Sequence, residues 1–302
     1  MDIGLVGLGL MGTAVTERLL LAGHQVHGHD PSEEARRSHA ARGGIAYDRL
    51  ADVASAVDVI LLSLPSGAVT LEVCLGQDGL SAHARPGALV VDTSTIHPDE
   101  ATKAADGLRA AGIHFADAGV SGSSNNVAAG QALAIVGADD DQYERAEPVL
   151  APFCTEVLHV GGIGSGMRAK LVINAVLALH RAALAEGLVL GERLGVESGR
   201  MLDVLQRSLA YSKAMDVWGP RMVARDYTPS SRLRQHNKDA QIILALAREH
   251  GAPMLGLAQA NHIVQVGLAN GYGESDNAVL AEVLRMLAGI EPVAPFAGEV
   301  MG

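Results

Sequence analysis

Cysteine and positive charge are both scarce in this sequence. Its 302 residues include two cysteines, Cys74 and Cys154, too few for a disulfide framework and without the Cys-x-x-Cys spacing of zinc and redox sites. Lys and Arg number 23 against 34 Asp and Glu, so the formal net charge is −11. General binding to nucleic acid or to an anionic membrane needs a basic face. We therefore expect no nucleic-acid partner, no membrane partner and a reducing compartment.

Long apolar runs and metal-ligand clusters are missing as well. No uninterrupted apolar stretch approaches the roughly 20 residues of a membrane span, and no basic leader precedes the first apolar run. His24, His27 and His29 cluster, but no neighbouring cysteine or paired carboxylate completes a zinc site. These absences favour a cytoplasmic protein without a bound metal.

The first half of the chain alternates short apolar runs with helical patterns. Such alternation predicts a doubly wound parallel sheet with helices on both faces, an α/β fold. The predicted strands are Ile3–Val6, Gln25–His29, Val57–Leu64, Ala88–Asp92, Ile113–Asp117 and Ala132–Val136. The clearest predicted helices between them are Gly12–Ala22, Pro31–Arg42 and Pro98–Ala111.

The second half is predicted to be all-helical. Helical patterns cover Met167–Leu194, Val196–Ala210, Leu233–His250 and Pro253–Asn270. A glycine cluster at 161–166 precedes them, so we predict an α/β domain over residues 1–162 and an all-α domain over residues 163–302. The first of these helices is apolar nearly all round, which predicts that it is buried on most sides and links the two domains.

A nucleotide-binding pattern follows the first predicted strand. Gly7-Leu8-Gly9-Leu10-Met11-Gly12 fits G-x-G-x-x-G and opens a helix, and Asp30 ends the second strand about 20 residues later. The glycines allow a tight turn against a pyrophosphate, and the acidic residue suits the adenosine ribose of a Rossmann-type domain. The alternative is a glycine-rich turn of another α/β fold. The predicted cofactor contacts are Gly7, Gly9, Leu10, Met11, Gly12 and Asp30.

The same turn bears on the choice of dinucleotide. A 2′-phosphate is favoured by an arginine directly after the second strand and disfavoured by a carboxylate. The residues here are Asp30-Pro31-Ser32, and the first arginines, Arg36 and Arg37, come within the next helix. We therefore expect NAD, with NADP the less favoured cofactor.

Two further strand ends are candidates for the cofactor path. Ligands of open α/β sheets bind outside the carboxyl ends of the strands. Leu64 and Pro65 follow one predicted strand, and Ser94 and Thr95 follow the next. We expect these four residues to line the dinucleotide, the alternative being polar loops without a ligand.

With these strand ends in place, the whole chain resembles the β-hydroxyacid dehydrogenase family, which includes 3-hydroxyisobutyrate dehydrogenase and tartronate semialdehyde reductase. The resemblance rests on blocks in order, the last followed by Lys238-Asp239: Gly4–Gly23, Leu64-Pro65, Val91–Pro98, Asp117–Gly130 and Gly164–Asn174. It implies reversible NAD(P)-linked oxidation of a small anionic 3-hydroxy acid to an aldehyde or ketone. It also implies a homo-oligomer, a dimer or a tetramer.

By this resemblance Lys170 matches the catalytic lysine, Asn174 its partner, and Lys238 a lysine near the nicotinamide. Residues i and i+4 share a helix face, so the Lys170 ammonium and the Asn174 amide can reach one substrate hydroxyl. Hydride leaves the substrate carbon as the hydroxyl loses its proton, so a proton acceptor must lie within hydrogen-bond reach. The alternative for Lys170 is a lysine that extends to solvent from a domain boundary.

The resemblance also implies a substrate loop. Asp117–Ser123 matches the pattern Asp-Ala-Pro-Val-Ser-Gly-Gly, and Ser121, Gly122 and Ser123 would hold the substrate carboxylate. Gly119 replaces the proline, which loosens the backbone, and Ser123 replaces the last glycine. Ser123 and the following Ser124-Asn125-Asn126 add hydroxyls and amides, which favour a more polar pocket and a hydroxylated substrate. The alternative is a solvent-facing loop.

These observations lead to one principal hypothesis and two alternatives. The principal hypothesis is an NAD-dependent 3-hydroxyacid dehydrogenase with its active site between the two domains. An imine reductase-like enzyme is the first alternative, although members of that group usually carry Asp or Tyr in place of Lys170 and lack the carboxylate loop. A non-catalytic NAD(P)-binding sensor is the second.

Overall fold

The computed structural model describes residues 1–295 of the chain. Its backbone divides into two compact units, one comprising Met1–Leu171 and the other beginning at Val172. The division falls inside a long helix, a few residues after the glycine cluster where the sequence analysis places the domain boundary.

The first unit is built around one eight-stranded sheet with the strand order β3-β2-β1-β4-β5-β6-β7-β8. The strands are β1 Asp2–Val6, β2 Gln25–His29, β3 Ile45–Ala46, β4 Val59–Leu62, β5 Leu89–Asp92, β6 His114–Ser121, β7 Ala132–Gly137 and β8 Cys154–Gly161. The helices are α1 Leu10–Leu21, α2 Glu33–Ala41, α3 Leu50–Ala56, α4 Gly67–Leu75, α5 Leu80–His83, α6 Pro98–Ala110, α7 Ser124–Ala128, α8 Asp140–Leu150 and the start of α9, Ser165–Arg193.

Alternate residues of the central strands belong to two separate hydrophobic clusters. Leu61 of β4 packs in one cluster, whereas its neighbours Ile60 and Leu62 pack in the other. Successive strand residues point to opposite faces, so this alternation shows a sheet covered on both sides. The predicted Rossmann-type doubly wound fold is confirmed.

One strand pair departs from the predicted all-parallel arrangement. β7 runs antiparallel to β6, with Ala118 opposite Val136, whereas the other neighbouring pairs are parallel. Only about ten residues connect β6 to β7, which is shorter than a parallel crossover requires. β8 was not predicted, because it is an edge strand with most of its residues exposed and so lacks a buried apolar run.

The second unit consists of helices throughout its described residues, as predicted. After α9 come α10 Ser198–Arg207, α11 Lys213–Ala224, α12 Leu233–Glu249, α13 Leu255–Ala269 and α14 Leu280–Leu287, with short 3₁₀ turns at Tyr272–Glu274 and Asn277–Val279. Leu184 and Leu188 of α9, Met222 of α11 and Val283 of α14 form part of its core.

The expectation that α9 is buried on most sides is wrong for one side of the helix. Leu171, Leu184 and Leu188 are buried, but Val172 is 64% exposed and Leu190 60%. An apolar pattern around a helix does not reveal which faces the same chain covers. By length and composition alone, α9 is also apolar enough to cross a membrane, a test that core helices of other proteins pass as well.

Two buried aspartates lie opposite each other, Asp92 at the carboxyl end of β5 and Asp117 within β6. The Asp117 carboxylate accepts the backbone N–H groups of Gly164 at 2.5 Å and Met167 at 2.6 Å, which fixes the start of α9 to β6. Asp92 accepts the Ser94 N–H at 2.9 Å. Burial raises the pKa of each aspartate to about 6.

Asp92 therefore makes stability depend on pH. Its pKa is higher in the folded chain than the ordinary value of 3.8, so the folded chain binds more protons and stability falls as pH rises from about 4 to 6. We expect Asp92→Asn to raise the free energy of unfolding at pH 8 by on the order of 1–3 kcal/mol, and to leave it nearly unchanged at pH 4. Chemical denaturation at both pH values measures the difference. Asp106→Asn, at an exposed position, is the control, and a lower stability of Asp92→Asn at pH 8 would contradict the expectation.

Candidate active site

The glycine motif forms a tight turn between β1 and α1. Gly7 has a positive φ of 95°, and a Cβ added to Gly12 would lie 2.0 Å from the Gly7 carbonyl oxygen. α1 begins at Leu10, inside the motif and earlier than the predicted start at Gly12. The first-turn N–H groups of α1 therefore belong to the motif itself.

Gly9 differs from the other two motif glycines. It is the N-cap of α1, no side chain caps the helix there, and a Cβ added to Gly9 would meet no protein atom within 4 Å. The space in front of the helix N-terminus is therefore open because Gly9 has no side chain. The first N–H groups of α1, which have no partner within the helix, face this space. This arrangement fits a pyrophosphate.

Asp30 is held beside this turn. Its Oδ2 accepts the Leu8 N–H and its Oδ1 the Ser32 N–H, each at 2.9 Å. The Arg36 side chain turns back from α2, so that its Nη1 donates to the carbonyl oxygens of Asp30 at 2.7 Å and Pro31 at 3.0 Å. Arg36 lies within a helix and is remote from the turn in sequence, but its guanidinium lies at the turn after β2 where a 2′-phosphate is expected to be favoured or disfavoured.

The four cofactor residues predicted at the ends of two further strands lie at the same edge of the sheet. Ser94 is buried and its Oγ accepts the Leu64 N–H at 2.8 Å, joining the ends of β4 and β5, while Pro65 is exposed and Thr95 half-buried. The Ser63 N–H donates to Val6, which joins the ends of β4 and β1. The structure brings these strand ends together with the glycine turn.

Lys170 is buried against the extended end of β6. It is 6% exposed, and a Cβ added to Gly119 would lie 2.6 Å from the Lys170 Cβ and 3.0 Å from its Cγ. Asp92 at the end of β5 is opposite Asp117, so Gly119 lies two residues further, at the carboxyl edge. The departure from proline at Gly119 has a physical consequence, because the missing side chain lets the Lys170 stem approach β6.

Asn174, one turn after Lys170 on α9, contacts the Lys-Asp pair of α12. Its Nδ2 donates to Asp239 Oδ2 at 3.0 Å, and Lys238 Nζ lies 3.3 Å from Asp239 Oδ1. A carboxylate only accepts hydrogen bonds, so it fixes the amide with its nitrogen toward Asp239 and its oxygen away. The sequence analysis gives Asp239 no role. Its position next to Lys238 in the Lys-Asp motif is the signal that could have identified it.

Part of the predicted substrate loop uses its polar groups in hydrogen bonds within the loop. Ser123 is the N-cap of α7, and its Oγ donates to Asn126 Oδ1 at 2.8 Å. The same Asn126 oxygen accepts the Ser123 N–H at 3.0 Å. Ser121 ends β6 half-buried and Gly122 is exposed. The Ser-x-x-Asn spacing is the sequence signal for this cap, and it was missed.

The histidines predicted to cluster after α1 contact nearby residues. Residues 1–295 contain no group of three or more His, Cys, Asp or Glu side chains arranged to hold a metal ion. His27 contacts the Asp2 carboxylate and the Tyr47 hydroxyl, each at 3.1 Å.

Comparisons with known proteins match the chain over nearly its whole length. Residues 2–161 match a family model described as the NAD binding domain of 6-phosphogluconate dehydrogenase. Residues 164–284 match one described as NAD-binding of NADP-dependent 3-hydroxyisobutyrate dehydrogenase.

Individual relatives agree with these matches. The chain is 31% identical to 2-(hydroxymethyl)glutarate dehydrogenase of Eubacterium barkeri, over 95% of this chain and 96% of that one. The structure of Mycobacterium tuberculosis 3-hydroxyisobutyrate dehydrogenase with L-serine has a TM-score of 0.84 and 30% identity, over 94% and 99% of the two chains. An imine reductase from Myxococcus stipitatus shares the fold alone, with a TM-score of 0.64 and 18% identity over 94% and 99%.

The contrast between Gly9 and Gly12 tests whether the glycine turn and the N-terminus of α1, together called the dinucleotide cradle, bind the cofactor. Gly9→Ala fills open space with an allowed backbone conformation, so we expect unfolding stability within about 1 kcal/mol of the wild type. Because the added methyl group enters the cradle, NADH should bind about tenfold or more weakly, a loss of roughly 1.4 kcal/mol.

Gly12→Ala is the matched comparison, because its methyl group meets the Gly7 carbonyl oxygen and should destabilise the fold itself. Thermal unfolding and NADH fluorescence titration measure the two effects. Unchanged NADH affinity in Gly9→Ala would show that the cradle is not the binding site.

Proposed function

Given that the chain belongs to the β-hydroxyacid dehydrogenase family, we propose that it transfers a hydride between NAD and a small 3-hydroxy carboxylate, with Lys170 as the general acid/base. The observation that carries this proposal is the buried position of Lys170 against Gly119, at the same sheet edge as the glycine turn. A lysine that merely extended to solvent would have no need of a missing side chain in β6.

Lys170 would accept the proton of the substrate hydroxyl during oxidation and return it during reduction. A bound nicotinamide supplies the hydride acceptor or donor in this chemistry. The proton and the hydride leave the same C–OH group, so the Lys170 Nζ must lie within hydrogen-bond distance of the hydroxyl oxygen. Burial of the lysine stem restricts the positions that this nitrogen can reach.

Asn174 would hold the same oxygen from the next turn of α9. Asp239 engages one amide N–H, which leaves the second N–H and the Oδ1 atom for the substrate. The second N–H can stabilise negative charge on the oxygen as the proton leaves. We assign Asp239 as a positioning residue that acts through Asn174, and Lys238 as a cofactor contact beside it.

The substrate carboxylate would bind at the end of β6. Ser121 and Gly122 are the candidate donors, through a hydroxyl and a backbone N–H. Ser123 can contribute its N–H or Oγ only in competition with Asn126, which already engages both atoms. Relatives named for hydroxy acids, such as 2-(hydroxymethyl)glutarate dehydrogenase, support a small hydroxy-acid substrate.

NAD is the proposed cofactor because the Asp30 carboxylate, which lies beside the glycine turn, would accept hydrogen bonds from the ribose hydroxyls and repel a 2′-phosphate. The Arg36 guanidinium is engaged by the carbonyl oxygens of Asp30 and Pro31 and by Asp48, 3.2 Å away. These contacts direct its N–H groups toward the protein. The Asp30 carboxylate and the engaged Arg36 guanidinium both favour a dinucleotide with a free 2′-hydroxyl, which is NAD.

We further propose a cytoplasmic homo-oligomer, a dimer or a tetramer. The support is the apolar surface of α9, where Val172, Val176 and Leu190 are exposed. Burying such side chains against a second copy would gain roughly 25 cal/mol per Å² of apolar surface. A non-catalytic sensor would share the cradle but not the need for Lys170 and Asn174, and its signature would be NADH binding without turnover.

Replacing the proposed acid/base group tests the reaction directly. Lys170→Ala should lower kcat by roughly 10²–10⁴, the contribution of a positioned acid/base group, with NADH affinity unchanged. NADH formation with a panel of 3-hydroxy acids measures kcat. Lys103→Ala, at an exposed position of α6, is the control. A kcat of Lys170→Ala within twofold of the wild type would refute the assigned role.

Cofactor preference is tested at the turn after β2. Asp30→Ala combined with Pro31→Arg removes the repelling carboxylate and adds a guanidinium, so the kcat/KM ratio of NAD to NADP should fall by about tenfold or more. Initial rates with each dinucleotide give the ratio. Asp48→Ala alone is the control for disturbance of Arg36. A wild-type preference for NADP would contradict the role given to Asp30.

A further inference from the structure

Arg181 of α9 is a cation buried within the second unit. It is 3% exposed, and its guanidinium lies 4.7 Å from the centre of the Trp218 ring. Its Nη2 donates to His236 Nδ1 at 3.3 Å, and its Nε is buried without a hydrogen-bond partner. A buried charge is unfavourable unless other groups compensate it, so the groups around Arg181 indicate what its charge does.

Two carboxylates act on Arg181 through space. Burial lowers the pKa of Arg181 to about 10, although the charges of Asp276 and Asp239 oppose this shift. Attraction between opposite charges is mutual, so Arg181 in turn favours the ionised form of both carboxylates. Asp276 already pairs with Arg221 at 2.9 Å. Asp239 lies 3.3 Å from the Lys238 ammonium, which is also the proposed cofactor contact, so the Arg181 charge matters most for Asp239.

Asp239 and Arg181 line the same narrow space. Asp239 is 6% exposed, and its Oδ2 accepts the Asn174 Nδ2–H at 3.0 Å. Together with Arg181 and His236, these two residues line a space with room for about one water molecule, and the rest of its wall is apolar. The buried guanidinium and the buried carboxylate are therefore within reach of a single small bridging molecule.

The chemistry of this wall selects the bridging molecule. Arg181 offers N–H donors and no acceptor, whereas an ionised Asp239 offers acceptors and no donor. The guanidinium would repel a metal cation, and the carboxylate would repel an anion. A water molecule accepts from the guanidinium and donates to the carboxylate, and buried waters bridge polar groups in this way.

We propose that Arg181 is a positioning residue that acts on Asn174 through one water molecule and Asp239. This inference rests on the proposed function for the role of Asn174 in orienting the substrate hydroxyl. With the Arg181 charge beside it, Asp239 stays ionised and accepts from Asn174, so the amide keeps its nitrogen toward Asp239. A protonated Asp239 would donate to the amide oxygen and reverse the amide. Arg181 thus holds the amide while the Lys238 ammonium serves the cofactor.

Kinetic coupling tests whether Arg181 acts through Asn174. Arg181→Met should lower kcat by about tenfold for the fastest 3-hydroxy acid of the panel, with KM within about threefold of the wild type, because the oriented donor acts in the transition state. In the Asn174→Ala background the same substitution should change kcat by no more than about twofold, because the group that Arg181 positions is gone. A further tenfold loss in the double variant would overturn the proposal.

Two further variants separate charge from packing. Arg181→Lys keeps a positive charge beside the same space, so it should recover much of the kcat lost in Arg181→Met. Equal kcat values of the two variants would overturn the role given to the charge. Arg193→Met, at an exposed position of the same helix, is the control and should keep the wild-type kcat. Thermal unfolding and the emission of Trp218, the only tryptophan of the chain, verify that each variant is folded.

Crystallography supplies a readout that does not depend on turnover or on the folding of a variant. In a high-resolution structure of the wild type, one water molecule should lie within hydrogen-bond distance of an Arg181 nitrogen and an Asp239 oxygen. Arg181→Met should lose this water. A dry space in the wild type, or a chloride ion in it, would overturn the proposal.

The two proposals can fail separately. A water molecule that bridges Arg181 and Asp239, without oxidation of any 3-hydroxy acid, would keep the link between these residues and overturn the redox function. Oxidation of 3-hydroxy acids with a kcat unaffected by Arg181→Met would keep the redox function and overturn the positioning role.

Discussion

The carboxylate of Asp117 is the contact on which the arrangement of the first unit depends. It accepts the Gly164 and Met167 N–H groups, so the middle of β6 and the start of α9 are held together. This contact sets the distance from α9 to β6, and Gly119 removes the side chain that would otherwise separate them. Lys170 is therefore placed by a backbone packing constraint, and its chemistry follows from that placement.

Charge is distributed differently in the two units. In the first, Asp92 of β5 and Asp117 of β6 accept backbone N–H groups, Asp92 Oδ2 is buried without a hydrogen-bond partner, and burial raises the pKa of both carboxyl groups. In the second, most buried charges are matched, as in the pairing of Glu282 with Arg225 at 2.7 Å and with Arg285 at 3.3 Å. Arg181 is the exception among those described here, because its guanidinium contacts the Trp218 ring and His236 instead of pairing with a carboxylate.

Much of the fold could be predicted because its main signals are local. Short apolar runs, the G-x-G-x-x-G turn and the 3.6-residue periodicity of α12 depend on neighbours in the sequence. The reversal of β7, the edge strand β8 and the exposed face of α9 depend on partners far along the chain. α11 was missed although it spans Lys213–Ala224, and Pro220 within it is a residue that ordinarily argues against a helix.

The sequence by itself determined the family, the doubly wound and all-helical halves and the identity of the residues proposed for chemistry, because motifs and spacing are properties of the chain. Only the tertiary structure decided which donors and acceptors those residues have left. It engages Ser123 with Asn126, turns Arg36 back to Asp30, and joins Asn174 to Asp239. It also leaves Arg181 buried without a counter-charge. Hydrogen bonds and charge compensation depend on distances between residues remote in sequence, and folding alone sets those distances.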